Sequence, residues 1–120
     1  MDKTYDYCNL AGVSKVTGEF DNDESILLSY ELKKINDYGK SQGRTLVITN
    51  KRVYNLAGKK IKRAIKVSDI TAMTKNNAEK NLEFIIHVSS ESDYRFKIDK
   101  LGVRDEIFSV LKQAFADVSK

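Results

Sequence analysis

The chain has 120 residues, with 21 Lys and Arg against 17 Asp and Glu, one His and a formal charge of +4. That length fits one domain with an unstapled core, and 41% hydrophobic content excludes global disorder. No apolar stretch nears the roughly 20 residues that cross a bilayer, and Met1-Asp2-Lys3 opens neither a signal peptide nor an N-myristoylation site.

Residues 1–24 form an acidic segment, in which Lys3 and Lys15 face Asp2, Asp6, Glu19, Asp21, Asp23 and Glu24. It is expected to screen part of the basic face that follows, or to pack through Leu10, Val13, Val16 and Phe20. A domain is expected over residues 25–118. From Ser25 to Ile35, Ile26, Leu28, Tyr30 and Leu32 alternate with Leu27, Ser29, Glu31 and Lys33, the period of a half-buried strand. A helical stripe through Leu27, Tyr30 and Lys34 is also compatible with this stretch. The polar run Asn36 to Gly43 reads as a loop, with Gly39 and Gly43 free to take positive φ. Strands are expected over Arg44–Thr49 and Arg52–Leu56, joined by a tight turn at Asn50-Lys51. Three more cover Ile61–Val67, Asp69–Thr74 and Leu82–Val88, and a last one carries Tyr94, Phe96 and Ile98, with polar loops at Lys75–Asn81 and Ser89–Ser92. The period then becomes helical: Val103, Ile107, Val110, Leu111, Ala114, Phe115 and Val118 form an amphipathic stripe. Asp99 or a nearby polar residue is a candidate cap, and Asp105-Glu106 suit the positive helix end. Seven short antiparallel strands and one C-terminal helix describe a mainly β domain whose helix plugs an open end of a barrel or sandwich.

Few residues assemble chemistry. His87 sits in an alternating strand without a second His or Cys to complete a nucleophile–base pair or a metal cluster. Cys8 is the single cysteine, which allows no internal disulfide and no cysteine-built zinc site, and fits a reducing, cytoplasmic setting. Gly39-Lys40-Ser41 resembles the end of a phosphate-binding loop, but Lys34 stands where that motif needs glycine. Asp21-Asn22-Asp23-Glu24 lacks the ligand spacing and central glycine of a calcium loop. The expected protein is therefore not an enzyme and needs no cofactor or metal.

Charge is the stronger signal. Lys33 to Lys66 holds eleven basic residues and one acid, Asp37. Such mutual repulsion is relieved by an anionic partner, although a solvated face that aids solubility has the same composition.

The stretches Lys34-Ile35-Asn36, Gly39-Lys40-Ser41-Gln42, Arg44–Thr49 and Arg52–Leu56 carry a family resemblance, as do Ile65–Ile70, Phe84–Val88, Asp93–Phe96 and the closing helix. Together, over residues 25–116, they resemble the pleckstrin homology (PH) superfamily, and within it the tail homology domain of class I myosins. The resemblance implies a PH-like barrel of seven antiparallel strands in two nearly orthogonal sheets, capped by one C-terminal helix. It also implies phosphoinositide binding by basic residues around the first strand–loop–strand, a role that falls here on Lys33 or Lys34, Lys40 and Arg44. Arg grips phosphate bidentately and Lys acts as a point charge, while Ser41 offers a hydroxyl. The candidate headgroup set is Lys33, Lys34, Lys40, Ser41, Arg44 and Arg52. Two departures stand out: no Trp lies in the final helix, where Phe108 or Phe115 could fill the space, and Lys40 to Arg44 is wider than the usual Lys-x-Arg. The wider spacing favours general anion binding over stereospecific recognition.

The expected function is a monomeric, peripheral membrane-targeting module of a larger signalling or cytoskeletal protein, acting at the inner membrane surface. The alternative is a PH-like module that binds a protein partner or a neighbouring domain. Nucleic acid is not an expected partner, because Tyr38 and Tyr54, the aromatics placed to stack on bases, read equally well as loop and core packing.

Overall fold

A strand whose every second residue is apolar is stable only when one face lies against a core, and this requirement organises the chain. The computed structural model describes residues 5–36, 38–75, 82–89 and 93–118. A short β1 (Tyr5–Asp6) and a one-turn α1 (Ser14–Thr17) precede β2 (Ile26–Ile35), β3 (Ser41–Thr49), β4 (Arg52–Ala57) and β5 (Lys60–Lys66). A 3-10 turn at Val67–Asp69 leads into β6 (Ile70–Lys75), β7 (Glu83–Val88), β8 (Tyr94–Lys97) and the long α2 (Leu101–Val118). The expected loop residues 76–81 and 90–92, with Asp37 and residues 1–4, lie outside the described residues.

The strands form one hydrogen-bonded sheet in the order β5-β4-β3-β2-β8-β7-β6, with β1 paired to β2 off that path, and the sheet does not close. This differs from the expected seven strands in two sheets. The count rises to eight because Tyr5 and Asp6 run parallel to Leu28 and Ser29. The two halves are continuous because β2 is ten residues long. It pairs with β3 along nearly its whole length, while Lys33, Lys34 and Ile35 also face Lys97, Phe96 and Arg95 of β8. The strand reading of Ser25–Ile35 therefore stands over the helical one.

The main core lies between the concave face of this sheet and α2. Leu28, Leu32, Leu46, Ile48, Val53, Phe84, Ile86 and Phe96 meet Val103, Ile107, Leu111 and Ala114 there. Phe108, one of the two aromatics expected to stand in for the absent tryptophan, packs edge-on against Phe84 at the main core, with centroids 5.8 Å apart. Phe115, the other, is 42% exposed.

A second, smaller core lies on the outer face of β3 and β4. Leu10 and Val16 from the N-terminal segment bury there against Ile26, Val47, Tyr54 and Leu56, with Phe20 stacked on Tyr54 at 5.1 Å. A bulge in β2 between Ile26 and Leu28 sends Ile26 to this cluster and Leu28 to the main one. Asp6 anchors the segment, accepting hydrogen bonds from the Ser29 hydroxyl and from the backbone N–H groups of Leu10 and Ala11. Burial raises its pKa and those three bonds lower it, with a net shift below the usual aspartate value.

Glu24 completes this layer. Its carboxylate is fully buried and accepts from Arg52 Nη1 at 2.7 Å, the Tyr54 hydroxyl at 2.7 Å, the Thr49 hydroxyl at 2.5 Å and the Asp21 backbone N–H at 3.0 Å. Burial, then the bond to Glu24, pushes the Tyr54 phenol up to about 12. Tyr30 is pushed to about 12 chiefly by its bond to the Asp99 carboxylate. Asp99, just ahead of α2, thus holds a tyrosine hydroxyl. Both phenols keep their protons in the fold to higher pH than an unfolded tyrosine near pH 10, so the stability they contribute is present below about pH 10 and is lost between about 10 and 12. Urea midpoints should fall across that window, and should fall less steeply in Tyr54→Phe than in the parent. Tyrosinate absorbance in the native protein should show part of the tyrosine complement ionising late.

Candidate functional site

The β2–β3 hairpin projects from the end of the sheet, and hydrogen bonding fixes its tip. Asn36 Oδ1 accepts from the N–H groups of Tyr38 at 2.9 Å and Lys40 at 3.0 Å. The Asn36 N–H donates to the Lys40 carbonyl, and the Gly39 N–H to that of Asn36. Gly39 takes φ +78°, where a side chain would strain the turn. The turn is shorter than expected: Ser41, Gln42 and Gly43 belong to β3, and Gly43 has no positive φ.

This pairing sorts the expected headgroup residues. Directly opposed residues share a face of the sheet. Lys34 is opposite Gln42 and Phe96, and Arg44 is opposite Leu32. Lys34 and Arg44 thus lie on the concave side, at the open end beyond the core, with Lys40 at the exposed base of the turn. Arg44 folds along its own strand, Nη1 donating to the Gly43 carbonyl at 2.8 Å and Nη2 to Gln42 Oε1 at 3.2 Å. Three of its five N–H donors remain available for an anion.

Lys33 and Ser41 lie on the opposite, outer side. Lys33 is in register with Gly43 on one flank and Lys97 on the other. A Cβ added at Gly43 would meet nothing within 4 Å. An open cleft of about 710 Å³ follows, lined by Lys33, Ser41, Thr45 and Lys97, with Glu31 and Asp99 on its wall. Lys97 was not among the expected residues. Its signal is the alternation of Arg95 and Lys97 with Tyr94 and Phe96, but only the β2–β8 register reveals that it adjoins Lys33.

Arg52 does not join the group. It follows the turn at the far end of β3, and the eight steps of extended chain from Ser41 to Thr49 span roughly 26 Å. It is bound to Glu24, and Nη2 lies 3.4 Å from Asp21. Lys51 pairs with Asp23 at 2.6 Å and Asp21 at 3.4 Å. The acidic segment thus neutralises the β3–β4 turn, and among the described residues none of its carboxylates pairs with a lysine of the hairpin. Among the described residues, Lys33, Lys34, Lys40 and Lys97 make no ion pair, while Arg95 beside them is bound to Glu83 at 2.9 Å. Lys60, Lys62 and Lys66 line β5, an edge strand, where lysines guard against pairing with another chain. Part of the basic run therefore has a structural explanation.

His87 bridges two neighbours, Nδ1 lying 2.8 Å from Asp93 and Nε2 2.8 Å from the Thr74 hydroxyl, and so ties the β7–β8 connection to β6. No helix among the described residues is long and apolar enough to cross a membrane.

Residues 5–120 match the model of a family described as the unconventional myosin tail, actin- and lipid-binding. No curated protein matches the chain significantly. Among solved structures, the Slm1 PH domain in complex with inositol 4-phosphate is similar at TM-score 0.63 and 16% identity, over 75% of this chain and 96% of that one. The N-terminal PH domain of human ARAP2 gives 0.64 at 18% identity, over 85% and 89%. The DH/PH fragment of PDZRhoGEF, in a complex with human RhoA, gives 0.67 at 11% identity, and this chain, 78% of which is covered, spans only 29% of that one. At such identities the structural likeness establishes a PH-like fold, and the family match extends over nearly the whole sequence. The chain belongs to the unconventional myosin tail family.

Proposed function

We propose that the hairpin end of the sheet binds anionic inositol lipids, with Lys34, Lys40 and Arg44 as the main phosphate contacts. Lys33, Ser41 and Lys97 supply further contacts on the outer side. The observation that carries this reading is the contrast in pairing. The basic groups at the β3–β4 turn are held by Asp21, Asp23 and Glu24, whereas the described lysines of the hairpin have no acidic partner. The family's description as lipid-binding and the inositol 4-phosphate in the Slm1 complex agree with it. Each cation near an anionic leaflet contributes about 1 kcal/mol, so three contacts give about 3 kcal/mol and the module needs a second attachment or a multivalent parent.

Binding a protein partner is the second reading. An apolar groove of about 330 Å³ between β6 and α2, lined by Ile70, Met73, Leu111 and Phe115 among others, favours it, as does the family's description as actin-binding.

Vesicle co-sedimentation of Arg44→Ala, Lys40→Ala and Lys112→Ala at two salt concentrations separates the two. Arg44→Ala should weaken binding about fivefold, the equivalent of one lost contact, Lys40→Ala similarly, and Lys112→Ala much less. Raising salt from 0.1 M to 1 M shortens the Debye length from about 10 Å to about 3 Å and should weaken binding throughout. Equal losses from Arg44→Ala and Lys112→Ala would mean a diffuse field, and no loss from any variant would favour the protein-partner reading.

A further inference from the structure

Tyr38 is 89% exposed, the most exposed large hydrophobic side chain among the described residues. It does not hang from a slack loop. Its own N–H is held by Asn36 Oδ1, and the bonds between Asn36, Gly39 and Lys40 fix the turn around it. The hairpin therefore holds an aromatic ring away from both cores at the extreme tip of the sheet. Tyr54 and Tyr94 are buried and Tyr5 and Tyr30 half-buried, and the hydroxyls of Tyr54, Tyr30 and Tyr7 are held by Glu24, Asp99 and Glu106, whereas the Tyr38 ring stands in water. Tyrosine is suited to one environment in particular, the boundary between headgroups and acyl chains, where its ring meets hydrocarbon and its hydroxyl stays hydrated.

From this placement we propose that Tyr38 enters the interfacial layer of an anionic bilayer when the hairpin binds it. This rests on the lipid reading above and adds to it a contact with the membrane that no free headgroup can make. Continuity with the basic group supports the choice of occupant. Lys40 lies two residues away on the same turn, and Lys34 and Arg44 follow on the strands behind it. A bilayer approached tip-first would meet Tyr38 first and place those cations at the level of the phosphates. Electrostatic attraction alone holds a module loosely, and one buried ring converts attraction at a distance into a shallow anchor.

The sequence contains no tryptophan, so Tyr38→Trp creates a single fluorescent reporter at the tip. The probes are vesicles of phosphatidylcholine with phosphatidylserine and phosphatidylinositol bisphosphate, and soluble inositol trisphosphate. With vesicles the Tyr38→Trp emission should shift to the blue and be quenched by brominated acyl chains. Tyr38→Ala should bind those vesicles about fivefold to tenfold more weakly, as expected for loss of one interfacial ring, with inositol trisphosphate binding unchanged. Vesicle binding by Tyr38→Trp without shift or quenching, or undiminished binding by Tyr38→Ala, would overturn the insertion and leave the headgroup reading intact. Equal weakening for vesicles and for soluble inositol trisphosphate would overturn it too, because Tyr38 would then contact the headgroup itself. Failure of the parent protein to bind anionic vesicles at low salt would instead remove the lipid reading, and the insertion with it.

Discussion

A chain that begins at Ser25 should fail to melt as a cooperative domain. Screening of the basic face by residues 1–24 predicts a milder result, a folded truncation with higher affinity for anionic vesicles. The structure gives that segment a larger task. Leu10 and Val16 are buried against Val47, Tyr54 and Leu56, and full burial of such side chains stabilises by about 1.5–3 kcal/mol each. Their loss alone removes about 3–6 kcal/mol from a domain whose stability is about 5–15 kcal/mol. Truncation also exposes Val47 and Leu56 and removes the Glu24 carboxylate from Arg52, Tyr54 and Thr49. Thermal unfolding followed by circular dichroism is the measurement, and a truncation that melts cooperatively near the parent temperature would contradict this packing. Screening is better examined with Asp23→Asn, which removes the shorter of the two Lys51 ion pairs, leaving that to Asp21, while every buried contact stays in place. Because Lys51 lies at the far end of β3, vesicle binding should change little.

The strand pattern was legible in the sequence because alternation is imposed locally by a one-sided core. Each expected strand from Ser25 onward appears within a few residues of its expected limits. The second core was less legible, although its signal was present. Leu46-Val47-Ile48 and Val53-Tyr54 are continuous apolar runs, and such runs mark strands covered on both faces. The cover is the N-terminal segment, in which Val16 lies on a four-residue helix too short to show a period and Leu10, Val13 and Phe20 lie outside it. A two-residue strand such as β1 likewise leaves no periodic trace.

The turn of the β2–β3 hairpin was legible in the sequence, and the set of residues that the fold gathers around it was not. Charge density and the polar turn marked the hairpin, and Asn36 and Gly39 do form a tight turn there. Sequence distance misled for Arg52, which lies close to Arg44 along the chain but beyond the far end of β3, five residues or roughly 17 Å of extended chain past Arg44. The opposite failure applies to Lys97: it is 64 residues from Lys33 in sequence and directly opposite it in the sheet. Register between strands distant in sequence depends on the whole fold, so no local pattern could have paired them.

The helix shows the same limit at smaller scale and yields a sharp comparison. Ile107, Leu111 and Phe115 are spaced by four and were expected to stack on one face. An α-helix turns 100° per residue, so each step of four drifts by about 40°, and Phe115 ends about 80° from Ile107. Ala114, seven residues on from Ile107, returns to within about 20° of it. Accordingly Ala114 is buried and Phe115 is 42% exposed. Leu111 is 2% exposed within the main core, and replacing it with Ala should cost about 2–5 kcal/mol, through lost burial and the cavity left behind. Phe115→Ala should cost less than half as much despite removing the larger side chain. Urea denaturation with a common m-value is the appropriate measurement, since a changed slope would signal a different unfolded or native state. Similar losses for the two variants, or an unchanged midpoint for Leu111→Ala, would mean that α2 is rotated about its axis from the position described.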